Sequence, residues 1–153
     1  MSDIAPVVEM FQTRIREELP ELATSAGTAT PDGFGNFTLL DVPCPSSPKR
    51  CRLGVLYRGD CFEIAFSVIE ARGPAEHQVN IIRDSAGAVT ATVDFLRDVL
   101  SGRILVDIFR YRILWFQPYH LAFFREASRR PRGRIVETLR WTANGKVEDP
   151  HAL

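Results

Sequence analysis

The chain begins with apolar residues at helical spacing. Ile4, Val8, Phe11, Ile15, Leu19 and Leu22 recur every three or four positions, which lines them along one face of an amphipathic helix. Asp3 suits the N-cap and Pro6 the first turn. Pro20 has no amide hydrogen to continue the ladder, so the pattern predicts an end or a kink near Leu19. From Ala23 to Gly35 the residues are small and polar, with Pro31, Asp32 and Gly33, and this stretch reads as a loop.

The period then falls toward two. Phe37 to Val42 is expected as a short strand, followed by a loop from Pro43 to Arg50 that holds three prolines. Leu53 to Tyr57 and Cys61 to Ile69 are expected as strands joined by a tight turn at Arg58-Gly59-Asp60. In the second of these, Phe62, Ile64, Phe66 and Val68 share a face. His77 to Ile82 reads equally as a fourth strand or a short helix. Val89, Val93, Leu96 and Leu100 restore the helical period, and Gly102 sits where a glycine cap belongs. Three strands are expected after it as a meander, over Ile104 to Phe116, Leu121 to Ala127 and Arg134 to Thr142. The turns between them fall at Gln117 to His120 and Ser128 to Gly133. Asn144-Gly145 marks a further turn, and residues 143–153 read as a loose tail.

This order predicts one α+β domain over residues 1–153. Its expected form is a single, mostly antiparallel sheet of six or seven strands, with an N-terminal helix and a second helix between two groups of strands. The order of helix first and sheet later is similar, at the level of topology, to that of small bacterial immunity proteins and secretion chaperones. That resemblance implies a protein partner.

The stretch from Ile104 to Phe116 departs from the alternation of a half-exposed strand. Leu105, Phe109, Tyr111, Ile113 and Trp115 are apolar on one parity, while Ile104, Val106, Ile108, Leu114 and Phe116 are apolar on the other. Leu121 to Phe124 repeats the feature. With only two clear helices to cover two faces, either the helices are shared between the faces or a second chain covers part of one. Phe124 is a candidate contact on such a face.

Composition changes this picture little. At 153 residues, with 45% hydrophobic and 25% charged residues, the chain can bury a core without disulfides or metal. No apolar run approaches a bilayer span, and Met1-Ser2-Asp3-Ile4 lacks the basic-then-apolar pattern of a secretory signal. Together with three cysteines, an odd number, this predicts a cytoplasmic protein with free thiols and no membrane association. The intervals between Cys44, Cys51 and Cys61 do not fit a zinc site, and no cofactor or metal is expected.

Charge adds one asymmetry. The net charge is zero, yet from Arg103 onward ten basic residues face only five acidic ones. Arg129, Arg130, Arg132 and Arg134 form the densest run, and Arg110, Arg112 and Arg125 on neighbouring strands could extend it. Such a patch can bind phosphates by counterion release, with Tyr119 and Trp141 as stacking groups, or it can be a solvated turn paired to Glu126 and Glu137. Glu137, His77, His120 and His151 are titratable, but no motif gives any of them a nucleophile or an orienting partner, so no catalytic residue is assigned.

Three functions fit these features. The first is a small cytoplasmic bacterial protein-binding module acting by surface complementarity, with another protein or a second copy of itself as partner. The second is a protein that binds nucleic acid or another polyanion through its C-terminal arginines. The third is a small-ligand-binding protein or enzyme with a pocket between helix and sheet.

Overall fold

A computed structural model describes residues 6–23, 30–31, 36–43, 51–70, 73–81, 85–111, 119–131, 135–141 and 147–148. In chain order the elements are α1 (Pro6–Glu18), α2 (Pro20–Ala23), β1 (Thr30–Pro31), β2 (Phe37–Pro43), β3 (Cys51–Tyr57), β4 (Phe62–Glu70), β5 (Gly73–Ile81), α3 (Ser85–Leu100), β6 (Ile104–Tyr111), β7 (Tyr119–Glu126), β8 (Ile135–Trp141) and β9 (Val147–Glu148).

The α+β class holds, but the single sheet of six or seven strands does not. Among the described residues there are two separate antiparallel sheets, ordered β1-β2-β3-β4-β5 and β7-β6-β8-β9. A strand has two hydrogen-bonding edges, and both edges of β6 are taken, one by β7 and the other by β8. No edge of β6 remains for β5, so the strands before α3 and those after it form different sheets. The same pairing overturns the expected meander. β7 and β8 flank β6 from opposite sides, so β8 lies next to β6 and not next to β7.

By contacts the chain divides into two compact units. One comprises Met1–Val42, Leu53–Ala65 and Gln78–Arg97, and the other Pro43–Arg52, Phe66–His77 and Asp98–Leu153. In the first unit α1 buries Val8, Phe11 and Ile15, the stripe its spacing predicts. Phe11 meets Phe62 of β4 with ring centroids 5.4 Å apart. Burying an aromatic ring of this kind contributes about 1.5–3 kcal/mol. α1 stops at Glu18, and α2 starts at Pro20, where the missing amide hydrogen leaves no donor unpaired. Gly59, with φ at 86°, makes the turn from β3 to β4, and Arg58 N donates to Cys61 O at 2.9 Å.

In the second unit the even-numbered positions of β6 form the core face. Ile104, Val106 and Ile108 are buried, in register with Glu126, Phe124 and Ala122 of β7. Phe66 meets Phe124 and Trp141 edge-on, at 6.2 and 6.4 Å between centroids. Such edge-to-face contacts let the positive rim of one ring meet the negative face of another.

Several boundaries differ from expectation. Gly73–Ile81 is a strand, which settles the alternative left open around His77 to Ile82. Cys51 opens β3, two residues before the expected start of that strand, and is fully buried. Tyr119 and His120 belong to β7, in register with Tyr111 and Arg110, rather than to a turn. Residues 112–116 of the expected long strand lie outside the described residues. Within the expected loose tail, Val147 and Glu148 pair with Trp141 and Arg140.

Candidate functional site

The odd-numbered face of the second sheet is where polar chemistry and exposed apolar surface meet. Direct partners in an antiparallel pair project to the same side. The register therefore puts Leu105 with Arg125, Asp107 with Phe123, and Phe109 with Leu121 on one face. Thr138 joins them, opposite Asp107 on β8.

At the centre of this face is a buried carboxylate. Asp107 is 1% exposed. Arg125 Nε donates to its Oδ2 at 2.5 Å and Arg125 Nη2 to its Oδ1 at 3.1 Å, while the Thr138 hydroxyl donates to Oδ1 at 2.9 Å. Arg125 lies one step diagonally from Asp107, a distance that its long side chain spans. Its remaining nitrogen, Nη1, donates to the carbonyl of Arg129 at 2.5 Å. Arg129 N in turn donates to Glu126 O at 2.9 Å. The buried acid thus holds an arginine, and that arginine holds the turn that follows β7. The apolar alternation of β6 passes over Asp107, because it sits between Leu105 and Phe109 on a parity that otherwise reads as apolar.

Next to this network lies an aromatic pair. Phe123 is 38% exposed, and its ring meets Phe109 nearly perpendicular, with centroids 5.5 Å apart. Exposed Arg129 and Arg130 follow at the end of the strand, where Arg129 forms a 2.9 Å ion pair with Glu126.

The sequence candidates divide accordingly. Arg125 and Arg129 are joined through the Asp107 network, and Arg130 shares their turn. Phe124 lies on the opposite, core-facing side against Phe66 and is half-buried, while its neighbour Phe123 is the exposed ring. Arg110 is on β6 in register with His120. Arg112, Arg132, Arg134 and His151 lie outside the described residues. Glu137 is on β8 in register with Ile108, and His77 is on β5.

Burial, followed by the hydrogen bond and charge of Asp60, pushes the Cys61 thiol up, which keeps it protonated at neutral pH. Among the described residues no three His, Cys, Asp or Glu side chains are grouped to hold a metal ion. No helix among them is long and apolar enough to cross a membrane.

The class these features define is an α+β protein with two antiparallel sheets and a half-exposed aromatic face beside a pre-set arginine turn. The chain matches no protein-family model, no curated protein and no solved structure.

Proposed function

We propose that the chain is a protein-binding module acting by surface complementarity, with the odd-numbered face of its second sheet as the contact surface. The observation that carries this reading is the Phe109–Phe123 pair. A large ring left 38% exposed, already packed edge-on against a second ring, is a ready anchor for a partner. Arg129 and Arg130 stand beside it as a polar rim, and the Asp107–Arg125 network fixes the turn that carries them. Interfaces combine these parts, an apolar centre rich in aromatics and a polar edge rich in arginine. A face that needs little reordering on contact also loses less entropy on binding.

A second copy of the chain is the first partner to test. Size-exclusion chromatography with light scattering on the full chain is expected to give a mass near twice 17.2 kDa. Phe123→Asp is expected to shift it to a single-chain mass with an unchanged circular dichroism spectrum. If the parent protein is monomeric at high micromolar concentration, self-association is excluded. If, in addition, Phe123→Asp unfolds the protein, the ring is part of the core and the interface reading fails.

A further inference from the structure

Apart from the aromatic face, the described residues of the second unit contain a buried guanidinium nitrogen without an acceptor. The chain leaves α3 through Gly102, with φ at 75°, whose amide donates to Val99 O at 3.1 Å, while Arg103 N donates to Asp98 O at 2.9 Å. Glycine here does more than permit the turn. A Cβ at position 102 would sit 2.6 Å from Nε of Arg140 and 3.2 Å from its Cγ and Cδ. The side chain of Arg140 therefore lies over the end of α3 in space that only glycine leaves open. Its Nε is buried there and has no hydrogen-bond partner. A donor on a charged group that is withdrawn from water and left unpaired is unfavourable. The carbonyl end of a helix favours a nearby cation, but Val99 O and Asp98 O already accept from the amides of Gly102 and Arg103.

Arg140 also lines an open groove of about 490 Å³, together with Asp98, Ser101, Arg103, Glu126 and Ser128. The two acids of this lining are engaged, Asp98 with Arg103 at 3.5 Å and Glu126 with Arg129 at 2.9 Å. Among the described residues, the groove thus holds two satisfied ion pairs and one guanidinium whose buried Nε has no acceptor.

We propose that this groove is a binding site for a carboxylate group, with Arg140 as its principal donor and Ser128 as a neutral one. The charge balance selects the class of ligand. One guanidinium with an open donor matches one negative charge, and a planar carboxylate fits the fork of an arginine. A phosphate dianion would bring a second negative charge next to Asp98 and Glu126. A small free acid and an acidic side chain of a peptide present the same group. The site does not depend on the Phe109–Phe123 face being an interface.

Nitrogen-15 NMR of the full chain tests the assignment directly. The Nε–Hε signal of Arg140 is identified by its loss in Arg140→Lys, and glutarate, a hexaglutamate peptide and inorganic phosphate are titrated in turn at constant ionic strength. The expected result is a saturable shift of that signal with a carboxylate, together with the backbone amides of Gly102 and Ser128. In Arg140→Gln the amide shifts are expected to weaken at least tenfold. Saturation by glutarate alone identifies a small acid as sufficient, and saturation by the peptide alone identifies a chain-borne carboxylate; either supports the site. No saturable shift in the parent protein, a stronger response to phosphate than to either carboxylate, or unchanged amide shifts in a folded Arg140→Gln overturns it. Because the parent titration is decisive by itself, a variant that fails to fold does not leave the question open.

Discussion

Asp107 is the residue on which the second sheet makes its largest local demand. A carboxylate 1% exposed has lost its hydration and depends on Arg125 and Thr138 to replace it. The net value of such a buried pair, against apolar residues of the same size, is small and can be negative. The loss of one partner is not small, because it leaves a charge stranded. Arg125→Met is therefore expected to destabilise the protein by about 3–5 kcal/mol, measured by urea unfolding. The double change Asp107→Leu with Arg125→Met is expected to recover much of that loss, since no unpaired charge remains. A cost below about 1 kcal/mol for Arg125→Met would mean that water reaches Asp107 and that the turn carrying Arg129 is not held by it.

Between elements, the clearest electrostatic link joins α1 to α3 through Glu18. Arg14 donates to it from one turn earlier at 2.6 Å, and Arg97 of α3 binds its second oxygen. Arg14 also reaches Thr90 of α3 at 2.7 Å, and Arg97 is shared with Asp94. The hydrogen bond from Arg14, and after it the pull of both guanidinium groups, holds the Glu18 carboxyl below the usual carboxylate range. A lowered folded-state value means that the contribution is complete above the ordinary carboxylate pKa and disappears as pH falls through the lower, folded one. Glu18→Gln is accordingly expected to lower the thermal midpoint at pH 7, by a modest amount because the pair is part-exposed, and to make no difference once Glu18 is protonated in both states. Melts of both proteins from pH 7 down to pH 2 check this; a gap of equal size at every pH would assign the effect to packing.

Local features of these elements were legible in the sequence, and pairings between them were not. The stripe of α1, the stop at Pro20, the glycine cap at Gly102 and the turn at Gly59 each follow from the stereochemistry of a few adjacent residues. The choice of β8 over β5 as neighbour of β6 is a long-range competition for one strand edge, and the periodicity of β6 is the same either way. Asp107 escaped notice because apolar residues of both parities surround it in the sequence, so one acid in the run carries no sign of where it points. The approach of Arg140 to Gly102 joins residues 38 positions apart, and its only local trace is a glycine already explained by the helix end.

At the scale of the whole molecule, the net charge of zero conceals an excess of base after Arg103. Among the described residues three of those arginines are engaged by acids, Arg103 by Asp98, Arg125 by Asp107 and Arg129 by Glu126. Nucleic-acid binding draws its strength from several unmatched cations releasing counterions together. The purified protein is therefore expected to elute free of nucleic acid, and not to retain a labelled single-stranded oligonucleotide at about 0.15 M salt. Excess absorbance at the nucleic-acid wavelength, or retention that falls steeply with salt, would return the arginine run to first place as the functional surface.

The buried acid also bears on how the strands find their alignment. Sliding β7 along β6 by one position would turn Arg125 toward the aromatic core and leave Asp107 without its guanidinium. Sliding it by two in the direction that brings Leu121 opposite Asp107 would keep each side chain on its own face but carry Arg125 two residues further from the acid. An all-apolar strand could tolerate either mistake for some time, since one greasy contact resembles another. Asp107 removes that tolerance: it works like the single notch on a key, so that a mispaired sheet carries a lone charge in its interior and is driven to reopen and try again.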